Sequence, residues 1–230
     1  MTPSEELAAQ LLEQLRGLAE PERARGEKAY LKSDREFLGV PVPAGRRILR
    51  AFLSTHGIED HDDVVALARA LWSGPIHEQR RAAVEVLSAR TAVLGDADLP
   101  LIADMVRDGE TWALVDGLAG EVAATIVARG VTPRAGEWLD RCAADPDSFW
   151  VRRLALLALL RSLKFDSTEW ERFSRYADGM LAEREFFIRK AIGWVLREVS
   201  KRDPDLVRGW VAAREGMLSG VTRREAVKYL

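Results

Sequence analysis

Apolar residues recur at i, i+3, i+4 and i+7 through almost the whole chain, and no alternating β-branched run lasts long enough to specify a strand. The pattern predicts helices near 3–18, 21–32, 43–56, 60–73, 76–93, 97–108, 111–129, 132–144, 148–163, 167–182, 184–201, 203–213 and 221–230. Punctuation supports these limits. Pro21, Pro43, Pro100, Pro133 and Pro204 fall in predicted first turns, where a missing N–H costs nothing. Gly57, Gly74, Gly95, Gly109 and Gly130 fall at predicted ends. The opening MTPSEELAAQLLEQL lacks the basic-then-apolar layout of a secretory signal and reads as a capped helix. Ser167 opens STEWERF, whose early acidic residues suit the positive end of a helix dipole.

A basic pair followed by an apolar stretch returns along this helical pattern. It occurs at Arg46-Arg47, Arg80-Arg81, Arg152-Arg153, Arg189-Lys190 and Arg223-Arg224, with first-to-first offsets of 34, 72, 37 and 34 residues. A period of 34 to 37 residues is the length of a helix-turn-helix solenoid unit, and the offset of 72 is two such periods with one slot empty. In that slot the chain reads TWALVDGL, carrying Trp112 and Asp116 one helical turn apart. No Gly/Ser-rich or Pro-rich linker divides the chain, and FLGVPVP (37–43) reads as an ordered loop. The expectation is an all-α protein: a single curved α-solenoid of about six HEAT-like helix pairs over 1–230, with an N-terminal helical cap (1–36) and repeats over 37–230. The second helix of each pair lines the concave surface in such arrays, so the basic pairs are expected there. Arginine at a helix start opposes the macrodipole, which suggests a use for these cations beyond stability.

Charge sharpens this picture. The net charge is −2, but residues 1–144 hold 17 Lys+Arg against 23 Asp+Glu, and residues 145–230 hold 17 against 13. The excess of cations in the C-terminal part points weakly to a polyanionic partner. The 47% hydrophobic and 30% charged content is that of an ordinary globular protein. Its longest strongly apolar run, Leu154 to Leu160, is too short for a membrane span. One cysteine, Cys142, excludes an intrachain disulfide and suits a reducing compartment, so a cytoplasmic protein is expected; a monomer is expected as well. His56, His61 and His77 show no metal-ligand spacing, and no phosphate-binding Gly-rich loop is present.

The motifs TWALVDGL, SFWVRRLALLALL and EFFIRKAIGWVLREVSKRDPDLV, with FLGVPVPAGRR near the front and TRREAVKYL at the end, resemble the AlkD-type DNA alkylation repair glycosylases. The likeness runs in order from about Tyr30 to Leu230. It implies HEAT-like repeats that grip double-stranded DNA on the concave face and excise N3- and N7-alkylated purines without a metal or cofactor. It also implies that Asp116 is the catalytic aspartate, that Trp112 is its neighbouring tryptophan, and that Arg153 and Trp194 complete the set. Ala113 departs from the family, whose members can carry a second acidic residue there, and the aromatic run before Asp116 is shorter; both changes bear on lesion preference.

The chemistry fits these residue types. Hydrolysis of an N-glycosidic bond passes through an oxocarbenium-like sugar, which a carboxylate stabilises. An alkylated purine is already cationic and needs no general acid to leave, so one carboxylate suffices. Trp112, at i−4 from Asp116, shares its helix face and could offer a ring to the cationic sugar. Arg153 could pair with a phosphate or with Asp116. Arg46, Arg47, Arg80, Arg81, Arg152, Arg189, Lys190, Arg223, Arg224 and Lys228 are candidates for phosphate contacts, with only one of each pair expected to face the DNA. Trp72, Trp138, Trp170 and Trp210 lack this register and are expected in packing, while Trp150 is divided between the two roles. A non-catalytic module binding unusual or damaged DNA, and a protein-binding scaffold, are the competing readings.

Overall fold

Seven of the α-helices, the first among them, begin at a side chain that caps a first-turn N–H. The computed structural model describes Met1–Leu230. In α1 (Pro3–Arg16), the Thr2 hydroxyl accepts the Glu5 N–H while the Glu5 carboxylate accepts the Thr2 N–H, a reciprocal capping box. Then come α2 (Pro21–Leu31), α3 (Val42–Thr55), α4 (His61–Trp72) and α5 (His77–Ala89). Short 3-10 turns at Thr91–Val93 and Asp96–Asp98 lead to α6 (Leu99–Arg107). Next is α7 (Trp112–Gly117), whose helical path continues through a π-helical turn (Leu118–Ala123) into α8 (Ala124–Val127). The remainder comprises α9 (Pro133–Ala143), α10 (Phe149–Ala158), α11 (Leu160–Phe165), α12 (Trp170–Met180), α13 (Phe186–Ser200), α14 (Pro204–Ala212) and α15 (Gly220–Ala226). The architecture is all-helical, built from successive helix pairs, and an isolated parallel bridge joins Glu36 to Ile76. No helix is long and apolar enough to cross a membrane.

Several details depart from the expected helices, among them the π-turn within 111–129 and the ends of α5 at Ala89 and α15 at Ala226. The stretch 148–163 is broken at Leu159 between α10 and α11. Ser167 does not open α12, which starts at Trp170 behind Glu169; that carboxylate caps no N–H and is taken instead by Arg172 at 2.8 Å.

The chain gathers into two compact units, Met1–Gly95 with Gly109–Gly117, and Asp96–Asp108 with Leu118–Leu230. In the first, α1 packs on α3 and α4, α5 packs on α3 and α4, and α7 packs on α5. Leu11, Phe52, Leu67, Leu71 and Leu87 are buried at its centre, each contributing roughly 1.5–3 kcal/mol by leaving water. In the second, α10 is the central element, against α6, α9, α13 and the π-turn. That role explains the run Leu154–Leu159, which is buried throughout: a helix surrounded by others is apolar all round.

The segment between α2 and α3 is strapped to the start of α5. The buried Glu78 carboxylate accepts the N–H groups of Leu38, Gly39 and Val40 at 2.9, 2.7 and 3.2 Å. His77 donates its N–H to the Glu36 carbonyl and stacks on Phe37 with centroids 4.4 Å apart. Gly39, at φ +76°, is required twice over: the left-handed region disfavours a side chain, and a Cβ would lie 2.3 Å from the Glu20 carbonyl oxygen.

Candidate functional site

The expected interruption of the basic register is a feature of helix geometry. Arg46, Arg81, Arg153, Lys190 and Arg224 are each the fifth residue of their helices, and Asp116 is the fifth residue of α7. A carboxylate therefore occupies the position at which the five helices carrying basic pairs present a cation. Residues at the first position are His77, Trp112, Phe149 and Phe186, so a flat ring opens four of these helices.

In the first unit, α7 is held close to α5 by Gly117. A Cβ at that position would meet Val84 Cγ1 at 2.7 Å, so glycine permits the approach that places Asp116. The loop into α7 turns at Glu110, with φ 58°, and the Glu110 carboxylate pairs with Arg35 at 2.8 Å. Trp112 and Asp116 are both half-buried, one turn apart on one helix face. The exposed Tyr30, at the end of α2, meets the Trp112 ring edge-on with centroids 6.0 Å apart. Directly after Gly117 the helix widens into the π-turn, a distortion frequent at functional sites because it changes the phase of the side chains that follow.

In the second unit, Asp145 prepares the start of α10. Burial pushes its carboxyl up, but the N–H of Ser148 and the Arg107 guanidinium at 2.6 Å outweigh this and hold it below the usual carboxylate range. Arg153 is 2% exposed. Its Nη1 donates to the Phe187 carbonyl, and its guanidinium lies 5.8 Å from the Phe187 ring and 6.0 Å from that of Trp194. The half-buried Trp194 is thus backed by a buried cation. Phe149, Trp150, Phe186 and Phe187 join in an aromatic shelf, with Trp150 at 4.5 Å from Phe149 and 4.8 Å from Phe187, and with Phe186 exposed.

The other basic candidates divide by exposure. Arg46, Arg47, Arg223, Arg224 and Lys228 are exposed. Arg81, Arg152, Arg189 and Lys190 are half-buried, and Arg80 is buried with Nε donating to the Gly74 carbonyl and its guanidinium 4.9 Å from the Trp72 ring. Arg81 donates to the Val40 carbonyl at 2.8 Å, and burial lowers its pKa. Several cations face carboxylates: Arg46 faces Glu85, Arg152 faces Glu183, and Lys190 faces Glu225. Trp72, Trp138 and Trp210 are buried in packing, as their lack of register suggested.

Sequence reasoning missed Tyr30, Phe149, Phe186 and Phe187 as members of these clusters. The signal available for the phenylalanines was the repetition of FWVRR as FFIRK, two aromatic residues ahead of a basic pair. Nothing local marked Tyr30, whose partner lies far along the chain.

The chain matches the model of a family described as DNA alkylation repair enzyme over residues 11–230. Its fold is similar to that of a solved structure, a predicted DNA alkylation repair enzyme from Enterococcus faecalis, with a TM-score of 0.79. That likeness covers 92% of this chain and 96% of the other at 24% identity. No curated protein matches the chain.

Proposed function

The chain belongs to the DNA alkylation repair enzyme family, and from that premise we propose that it is a DNA glycosylase hydrolysing the N-glycosidic bond of N3- and N7-alkylated purines in duplex DNA. The observation that carries this reading is the position of Asp116, a carboxylate at the place held by a cation in the five helices that carry basic pairs, one turn from the Trp112 ring. As the C1′–N bond lengthens, its electron pair moves to the alkylated purine, which leaves neutral. Positive charge develops on the sugar, and the Asp116 carboxylate opposes it at short range beside an aromatic wall. Water, oriented by Asp116, then adds to C1′ and its released proton passes to the solvent. Stabilisation of roughly 3 kcal/mol would account for about two orders of magnitude in rate.

In this reading Trp112 offers its ring to the cationic sugar, and Tyr30 fixes the angle of that ring. Trp194 is the second ring against the DNA, and the buried Arg153 holds it through the guanidinium–indole contact. The exposed Arg47, Arg223, Arg224 and Lys228 are assigned to phosphates, which position a duplex without reading its sequence. Incubating the protein with duplex DNA carrying N7-methylguanine tests the reading: free methylated base and an abasic strand should accumulate. Tight binding of that duplex with no base released would favour a non-catalytic module.

A further inference from the structure

Three of the cations in the repeated basic pairs are already occupied by carboxylates from the same compact unit. Arg46 Nε reaches both Glu85 oxygens, at 2.8 and 2.9 Å. Arg152 sends Nε and Nη2 to the two oxygens of Glu183 at 2.8 and 2.9 Å. Lys190 Nζ lies 2.5 Å from Glu225. The partners stand 39, 31 and 35 residues apart, about one repeat each.

The geometry of these pairs is informative. In the Arg152 pair, two parallel N–H donors from one guanidinium suit a phosphate as well as they suit a carboxylate. The Arg46 and Lys190 side chains are 47% and 38% exposed, while Glu85 and Glu225 are each 18% exposed, so in these two pairs the cation is the more accessible member. Glu183 serves two successive basic pairs, since its carbonyl also accepts from Arg189 Nε at 2.8 Å. Glu225 is gripped in addition by Arg197, and the Lys190 hydrogen bond leads the effects that keep its carboxyl below the usual range. Partly solvated pairs of this kind contribute little to stability, so their recurrence at three of the basic pairs calls for another explanation.

Affinity for undamaged duplex rises with the number of phosphates neutralised. A repair protein that binds intact DNA too tightly would be held on it, and a carboxylate already seated on a cation subtracts from that number. Resting on the DNA-repair reading above, we propose that Glu85, Glu183 and Glu225 are internal phosphate surrogates that compete with duplex DNA for Arg46, Arg152 and Lys190, and so keep affinity for undamaged DNA low.

The test is the binding of undamaged duplex by Glu85→Gln, Glu183→Gln and Glu225→Gln, followed by fluorescence anisotropy across a salt series. Each substitution keeps shape and removes one competing charge. Each should tighten binding roughly eightfold at about 0.1 M salt and steepen the log–log salt slope by about 0.9, the effect of one added phosphate contact. Weaker binding with a shallower slope would show that the carboxylates instead hold the cations in place for DNA, and would overturn the proposal; so would unchanged binding. Glu85→Gln alters a pair with a half-exposed cation, and it decides the matter should the other two fail to fold. Parent and variants that all ignore duplex DNA at low salt would reject the DNA-repair reading itself. A parent that binds, with variants that match it, would reject only the surrogate assignment.

Discussion

The Tyr30 ring meets the Trp112 ring at 89°, with centroids 6.0 Å apart, although the tyrosine is 72% exposed. The contact joins the end of α2 to the first residue of α7. An edge-to-face pair is worth about 0.5–1.5 kcal/mol beyond its burial, enough to select one orientation of the indole ring beside Asp116. Tyr30→Ala should therefore slow base excision by up to about tenfold while leaving the thermal midpoint nearly unchanged, because little of the tyrosine is buried. Tyr30→Phe, which keeps the ring, should excise at close to the parental rate. Single-turnover excision assays on the two variants check this.

The strap between α2 and α3 depends on one carboxylate. Glu78 is 1% exposed and accepts three consecutive backbone N–H groups. Glu78→Gln loses the charge from those bonds and turns a donor toward an N–H, which should cost roughly 2–4 kcal/mol. Gly39→Ala should cost at least as much, because its Cβ would be driven against the Glu20 carbonyl and the Ala24 amide at a positive φ. Urea denaturation should show both losses as lower midpoints.

Acid should loosen the same region through His77. Burial pushes its imidazole pKa down from 6.5 to about 4. Between those values the unfolded chain binds a proton that the folded chain refuses, so stability is complete above pH 6.5 and falls as pH drops towards 4. The loss should be on the order of 3 kcal/mol. Urea midpoints from pH 7 to pH 4 should show it, and His77→Gln should remove most of that slope.

The helices were legible because their apolar stripes, first-turn prolines and terminal glycines all agree, as at Pro133 and Gly130 around the start of α9. The register of Asp116 was legible too, since basic pairs spaced by one repeat leave a countable gap. The π-turn after Gly117 was not: Leu118, Ala119, Val122 and Ala123 keep a pattern an α-helix would also show, and only packing on neighbouring elements selects the wider turn. The carboxylates seated on Arg46, Arg152 and Lys190 were hidden for a different reason. Glu85 lies within α5, Glu183 before α13 and Glu225 late in α15, so no common spacing announces them. The burial of Arg80 likewise comes from a contact with Trp72 across a turn, which a repeat register does not reveal.

Asp116→Asn isolates the charge proposed to drive bond cleavage, because it keeps size and hydrogen-bonding capacity. The measurement is the single-turnover release of N7-methylguanine from duplex DNA by the parent and the variant, with affinity and thermal midpoint recorded alongside. The variant should fold, bind duplex at least as tightly because an anion has left a polyanion site, and excise about two orders of magnitude more slowly. A variant that folds, binds and releases the base at the parental rate would contradict that role for the charge.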